Sequence, residues 1–197
     1  MYHWRPLFYM GCRNMVDILS AMTQRVSNPR LKEPVPSRSE LEQMFRCAVR
    51  APDHGKLRPW RFIVLQGNAL DRLGDAFVET QPDLDEVKQE RLRAKPKRAP
   101  MIIVAVAKID ANHNKVPVWE QQVAVGIAVQ NIQLAAQAMG YGSMWRTGAI
   151  TDEAAVKAHL GLAPNEQIIA FLYMGTVDGA SRTAEIQDIT QVVEFRE

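Results

Sequence analysis

Apolar positions recur along the chain with two different periods. Met15, Ile18, Leu19 and Met22 fall at i, i+3, i+4 and i+7, one helical stripe. The proline-rich segment NPRLKEPVPS (28–37) stops that helix and predicts extended chain. Ser39 opens a second helix, with Glu42 three residues on as a capping box. Leu41, Met44, Phe45, Ala48 and Val49 form its inner side, and Pro52 limits it to Arg50 or Ala51. RFIVLQ (61–66) reads as a short buried strand. Residues 68–79 read as an amphipathic helix through Leu70, Leu73, Phe77 and Val78.

Residues 82–98 carry charges of both signs and few apolar anchors, the pattern of an exposed helix or a mobile flap. MIIVAVA (101–107) is apolar throughout, as a central strand covered on both faces would be. KIDANHNKVP (108–117) is a polar loop. Residues 118–139 predict the longest helix. Val123, Ile127, Ile132, Leu134 and Met139 give it bulk, and small residues such as Ala124, Gly126, Ala128, Ala135 and Ala136 keep its surface low. A helix apolar on nearly every side is buried all round, so a second subunit is expected to supply one wall. GYGSMWRTG (140–148) is turn, short strand and turn. Thr151 is expected to cap a further helix, QIIAFLYMGT (167–176) is another strand, and VVEF (192–195) an edge strand. This order predicts a three-layer α+β or α/β sandwich around a mixed central sheet. A single domain over 15–197 would follow a tail at 1–14.

Composition narrows the classes. Of 197 residues, 47% are hydrophobic and 23% charged, a globular profile. The net charge of +2 argues against nucleic acid and anionic membranes as partners, so anion binding must be local. No apolar run reaches the roughly 18–20 residues of a membrane span. Cys12 and Cys47 form no CxxC and no zinc-type set, which suits a reducing, cytoplasmic setting and no metal, with a disulfide between the two as the alternative. GxGxxG, GxxxxGK[ST], GxSxG and HExxH are all missing.

Three segments carry candidate chemistry: QRVSNPR (24–30), RAPDHGKLRPW (50–60) and MWRTGAI (144–150). Each sets a basic residue beside small or hydroxyl residues at an element boundary. Guanidinium forks grip phosphate oxygens, hydroxyls add neutral hydrogen bonds, and turn N–H groups serve ring acceptors. That combination suits a phosphate attached to a planar heterocycle.

Together with NHNKVPVWEQ and IIAFLYMGT, in this order, these segments resemble the nitroreductase family, and within it a short bacterial branch of NAD(P)H nitroreductases. The resemblance spans roughly residues 16–195. It implies an α+β fold and a homodimer with FMN at the subunit interface. It also implies reaction with NADH or NADPH and a small acceptor, nitroaromatic or quinone-like, by hydride transfer at flavin N5 in ping-pong order. By the same resemblance Arg25, Val26 and Ser27 match the phosphate segment, Arg50 and His54 match flavin contacts, and Trp145, Arg146 and Thr147 match the segment beside N5. Ala135, Ala136, Gln137, Ala138, Met139 and Gly140 match a stretch linked to the nicotinamide nucleotide.

Three positions depart from the family pattern. Val26 replaces an arginine, and Pro29 stands where a basic residue near flavin N1 and O2 is usual. Near the C-terminus, GASRTAEIQ offers only Arg182 where many relatives carry a basic pair. Arg50 and Lys56 are the substitutes expected to face N1 and O2. The alternatives are a flavin enzyme of different chemistry (flavin fragmentation, dehalogenation or desaturation) and a flavin binder without turnover.

Overall fold

MIIVAVAK, apolar at seven successive positions, becomes the central strand β3 (Met101–Lys108), and all seven of those residues are buried. The computed structural model describes residues 17–180 and 182–196. The expected tail at 1–14, with Cys12, and Met15 of the first stripe lie outside the described residues. β2 (Trp60–Gln66) and β5 (Glu166–Val177) flank β3, and both pair with it antiparallel. β1 (Leu31–Lys32) and β4 (Gly142–Arg146) also pair antiparallel with β5. The five-stranded order is β1-β5-β3-β2, with β4 on β5. The sheet was expected to be mixed, and every described pairing is antiparallel. The connections that set strand direction cannot be counted from apolar runs alone.

Alternation along β3 feeds two cores. Ile103, Ala105 and Ala107 face a layer built by α2 (Arg38–Ala48) and α5 (Val118–Ala138). Ile102, Val104 and Val106 face a layer of α3 (Asn68–Glu79), α4 (Glu86–Arg93) and α6 (Ala154–His159). This is a three-layer α+β sandwich. Each fully buried Ile or Val contributes on the order of 1.5–3 kcal/mol, so the strand anchors both layers.

Several boundaries move from expectation. The capping box forms at Ser37 and Glu40, two residues before the expected pair. Both serines have an acid three residues on, and the start at Ser37 turns Leu41, Met44 and Ala48 into the core while leaving Val49 45% exposed. β2 is an edge strand, not a fully buried one. Thr151 ends a 3₁₀ turn and bonds the carbonyl of Gly148 at 2.8 Å, and Glu153 stands at the N-cap of α6. Residues 192–196 form no strand. The charged stretch 82–98 folds as α4 and a 3₁₀ turn at Pro96–Arg98, pinned by buried Leu92.

The first apolar stripe forms α1 (Ile18–Thr23), yet Ile18, Leu19 and Met22 are exposed. α5 is likewise buried on one side only. Ala124, Val125, Ala128 and Val129 face the core, while Trp119 is 62% exposed and Val123 49%.

Candidate functional site

The basic loop after α2 is held by two side-chain hydrogen bonds and by backbone turns of positive φ. The Asp53 carboxylate accepts from the Arg58 N–H at 2.7 Å and so closes the loop. Gly55 adopts φ +74°, and a Cβ there would lie 3.2 Å from Val116 Cγ2. Lys56 and Arg58 also have positive φ, 55° and 49°, a conformation L-residues adopt only where surrounding contacts impose it. His54 Nδ1 lies 2.7 Å from Glu120 Oε2 in the first turn of α5. A carboxylate only accepts, so Nδ1 carries the hydrogen and Nε2 is left as the open ring nitrogen. The neighbouring loop is fixed by buried Gln121, which bonds both backbone groups of Asp110 and the carbonyl of Val116.

The basic residues of this loop divide by role. Arg61 pairs with buried Glu166 at 2.6 Å and serves the fold. Arg50 and Lys56 are exposed and have no carboxylate partner among the described residues.

The segment after α1 lies against the start of β4. The Asn28 N–H donates to the carbonyl of Ser143 at 3.0 Å, and buried Gln133 of α5 donates to the Ser143 hydroxyl at 3.1 Å. Gln137 donates to the carbonyl of Ala21. Arg25, Val26 and Ser27 are therefore half-buried beside β4, and Trp145, Arg146 and Thr147 follow along the same strand and the turn after it. Trp145 packs toward α5, with its ring over Gly126. Arg25 and Ser27, two positions apart on the segment that Asn28 joins to β4, with Arg25 lacking a carboxylate partner among the described residues, offer a cation and a hydroxyl of the kind a phosphate takes.

His54 stands apart from that cluster. Glu120 and Gln133 are 13 positions apart on α5, about 20 Å at the helical rise. One chain thus sets His54 at the start of α5 and the 25–28 segment beside Ser143 toward its end, with Trp145 over Gly126 between the two.

The stretch 135–140 is accounted for by packing and helix termination. Ala136 is fully buried, and Ala135 and Met139 pack against the same core. Gly140 (φ +86°) closes α5 in a Schellman motif, with Tyr141 N–H on the Ala136 carbonyl at 2.9 Å and Gly140 N–H on that of Gln137 at 2.9 Å. Gln137 turns to α1, and Ala138 is exposed.

A feature that sequence reasoning missed lies on the opposite face of β4. Arg146 points into a cleft of about 400 Å3 beneath the 3₁₀ turn at 96–98. Its guanidinium carbon sits 5.4 Å from the centre of the Tyr173 ring. Its Nε is buried with no hydrogen-bond partner among the described residues. Lys95 and Arg98 line the same cleft. Tyr173 is buried and donates to the carbonyl of Lys95 at 3.2 Å. Burial raises its hydroxyl pKa, and the charges of Arg146 and Arg98 pull it the other way. The sequence signal was the basic run RAKPKRAP (93–100), which reads as a solvated face.

Comparison with known proteins follows the same line. The profile described as "Nitroreductase family" matches residues 23–176. The Escherichia coli (strain K12) protein named "Putative NAD(P)H nitroreductase YdjA" is 37% identical over 183 residues, covering 91% of this chain and 100% of its own. Among solved structures, a nitroreductase-like family protein from Bacillus cereus superposes with a TM-score of 0.81 at 22% identity, covering 95% of this chain and 100% of that one. The FMN and NADPH-dependent nitroreductase NfnB of a Sphigopyxis strain gives 0.73 at 17% identity, covering 92% and 100%.

Proposed function

The chain belongs to the nitroreductase family and is an oxidoreductase, and we propose that it binds FMN between two copies of itself and uses NADH or NADPH to reduce a small acceptor. The observation that carries this reading is the partition along α5. His54 is held at the start of α5 by Glu120, while the 25–28 segment joins β4 beside Gln133, 13 positions further along the helix, an arrangement that suits a site shared by two chains. A two-fold partner would bring its own His54 and Arg50 to that site. The exposed apolar residues Ile18, Leu19 and Met22 of α1 and Trp119 and Val123 of α5 are surface that an interface would cover.

In this reading Arg25 and Ser27 hold the phosphate, and backbone N–H groups of 145–147 meet the ring. His54 from the partner, its ring set by Glu120, lies against the ring. Arg50 and Lys56 stabilise negative charge near N1 and O2 in place of the residue lost at Pro29. Bound FMN would supply hydride transfer at N5, with nicotinamide and acceptor using one face in turn. The test is direct. The purified protein should be yellow and release FMN, and NADH or NADPH should bleach it anaerobically until a quinone or nitroaromatic restores the colour. Colour that no nicotinamide bleaches would leave a flavin binder, and a protein that takes up no FMN would end the proposal.

A further inference from the structure

β4 presents its two faces to different layers. Trp145 packs toward α5, whereas Met144 packs among the α3-side core and Arg146 lies over Tyr173 on that side. The cleft that Arg146 enters is therefore separated by the strand from the segment at 25–27. Lys95, Arg98 and Arg146 all line it, and no carboxylate does. None of the three is in an ion pair among the described residues. The adjacent Lys97, by contrast, turns away to Asp71 at 3.0 Å. Like charges converging without a counter-ion repel, and a buried guanidinium N–H without an acceptor is costly. The rest of the wall is mostly apolar and aromatic, with Phe77, Phe171, Ile150 and Met144 beside Tyr173, and Trp145 and Thr147 at the border with the 145–147 segment. A volume of about 400 Å3 lies within the range of small-molecule pockets.

We propose that this cleft is a binding site for a small organic anion with an apolar or aromatic body. Its carboxylate-type head would bond the Arg146 Nε–H and the Arg98 and Lys95 heads, and its body would rest on Phe77 and Ile150. A guanidinium takes a carboxylate in a planar fork, and the apolar wall disfavours a fully hydrated inorganic ion. The cleft adjoins the 145–147 segment given to the flavin ring, yet binding here needs no turnover and is read without it.

The experiment is calorimetric titration of the protein as purified with benzoate, with neutral benzamide and inorganic phosphate as controls. Wild type should bind one benzoate per chain and ignore benzamide. Arg98→Ala should weaken benzoate by roughly ten- to hundredfold, the loss of one charge-assisted contact. Lys95→Ala should weaken it less, and Arg98→Lys should recover part of the loss. Flavin content should be the same in all of them. Absent benzoate binding, or equal binding by Arg98→Ala, overturns the proposal. So does tighter binding of phosphate than of benzoate, or loss of flavin in Arg98→Ala, which would give these cations to the cofactor instead.

Discussion

Glu120 accepts a hydrogen bond from His54 Nδ1 at 2.7 Å although 66 residues separate them in sequence. The bond ties the basic loop to the first turn of α5, and it leaves one ring nitrogen of His54 facing outward. If Glu120 acts only by orienting that ring, the two residues form one unit. His54→Ala and Glu120→Ala should each weaken FMN by roughly two- to fivefold, the scale of an exposed pair. The double variant should be no worse than the poorer single. Equilibrium dialysis with FMN reads this, and losses that multiply would show that the two residues act separately.

Arg25 and Arg50 have different expected roles. Arg25→Ala should lose FMN by roughly ten- to hundredfold in affinity and recover most of its rate when FMN is added in excess. Arg50→Ala should keep its flavin, show a lower reduction potential and be bleached more slowly by nicotinamide. Spectroelectrochemical titration and rapid mixing distinguish the two. The opposite assignment, with Arg50→Ala losing flavin and Arg25→Ala shifting the potential, would reverse the orientation of the cofactor.

Arg61 serves stability. Its guanidinium pairs with Glu166, whose side chain is 6% exposed and whose carboxylate also accepts from the Ala163 N–H. Arg61→Ala leaves that carboxylate without its cation and should cost about 1–3 kcal/mol, reduced from a fully buried pair because Arg61 is 39% exposed. Thermal unfolding should fall by several degrees, while flavin content at low temperature stays unchanged.

The sequence shows the elements where one physical demand dominates. Unbroken apolarity marks β3, and Leu70, Leu73 and Phe77 mark α3, which forms over the expected residues 68–79. It is ambiguous where two solutions score alike, as with Ser37–Glu40 and Ser39–Glu42 at the start of α2. The Arg25 and Trp145 segments are visible as motifs, and the structure adds that Asn28 and Ser143 join them. The cleft was illegible. Its cations lie on a charged stretch and on β4, 51 positions apart, and only the sheet register and the fold of 94–98 bring them together.

The acid side of the stability curve should report Glu40. Its pKa lies below the ordinary 4.5, chiefly through the hydrogen bond from the Ser37 hydroxyl, with the Ser37 N–H and Tyr141 adding and burial opposing. A carboxylate with a lowered pKa stabilises the fold above its ordinary pKa, and that contribution is lost as pH falls through the folded value. Wild type should therefore lose stability between about pH 5 and pH 3 more steeply than Glu40→Gln, which starts lower and lacks this titration. Parallel denaturant midpoints across that range would show that the capping box carries no such linkage.

The spacing along α5 has a consequence for mixtures of chains. If each flavin site takes Arg25 from one copy and His54 from the other, a dimer of an Arg25→Ala chain with a His54→Ala chain holds one site with both changes and one with neither. The two variants, unfolded together and refolded as an equal mixture, should then show a class of wild-type affinity making up roughly a quarter of the flavin sites, since half of randomly paired two-fold dimers are hybrids. Complementation of this kind cannot arise from sites contained within single chains.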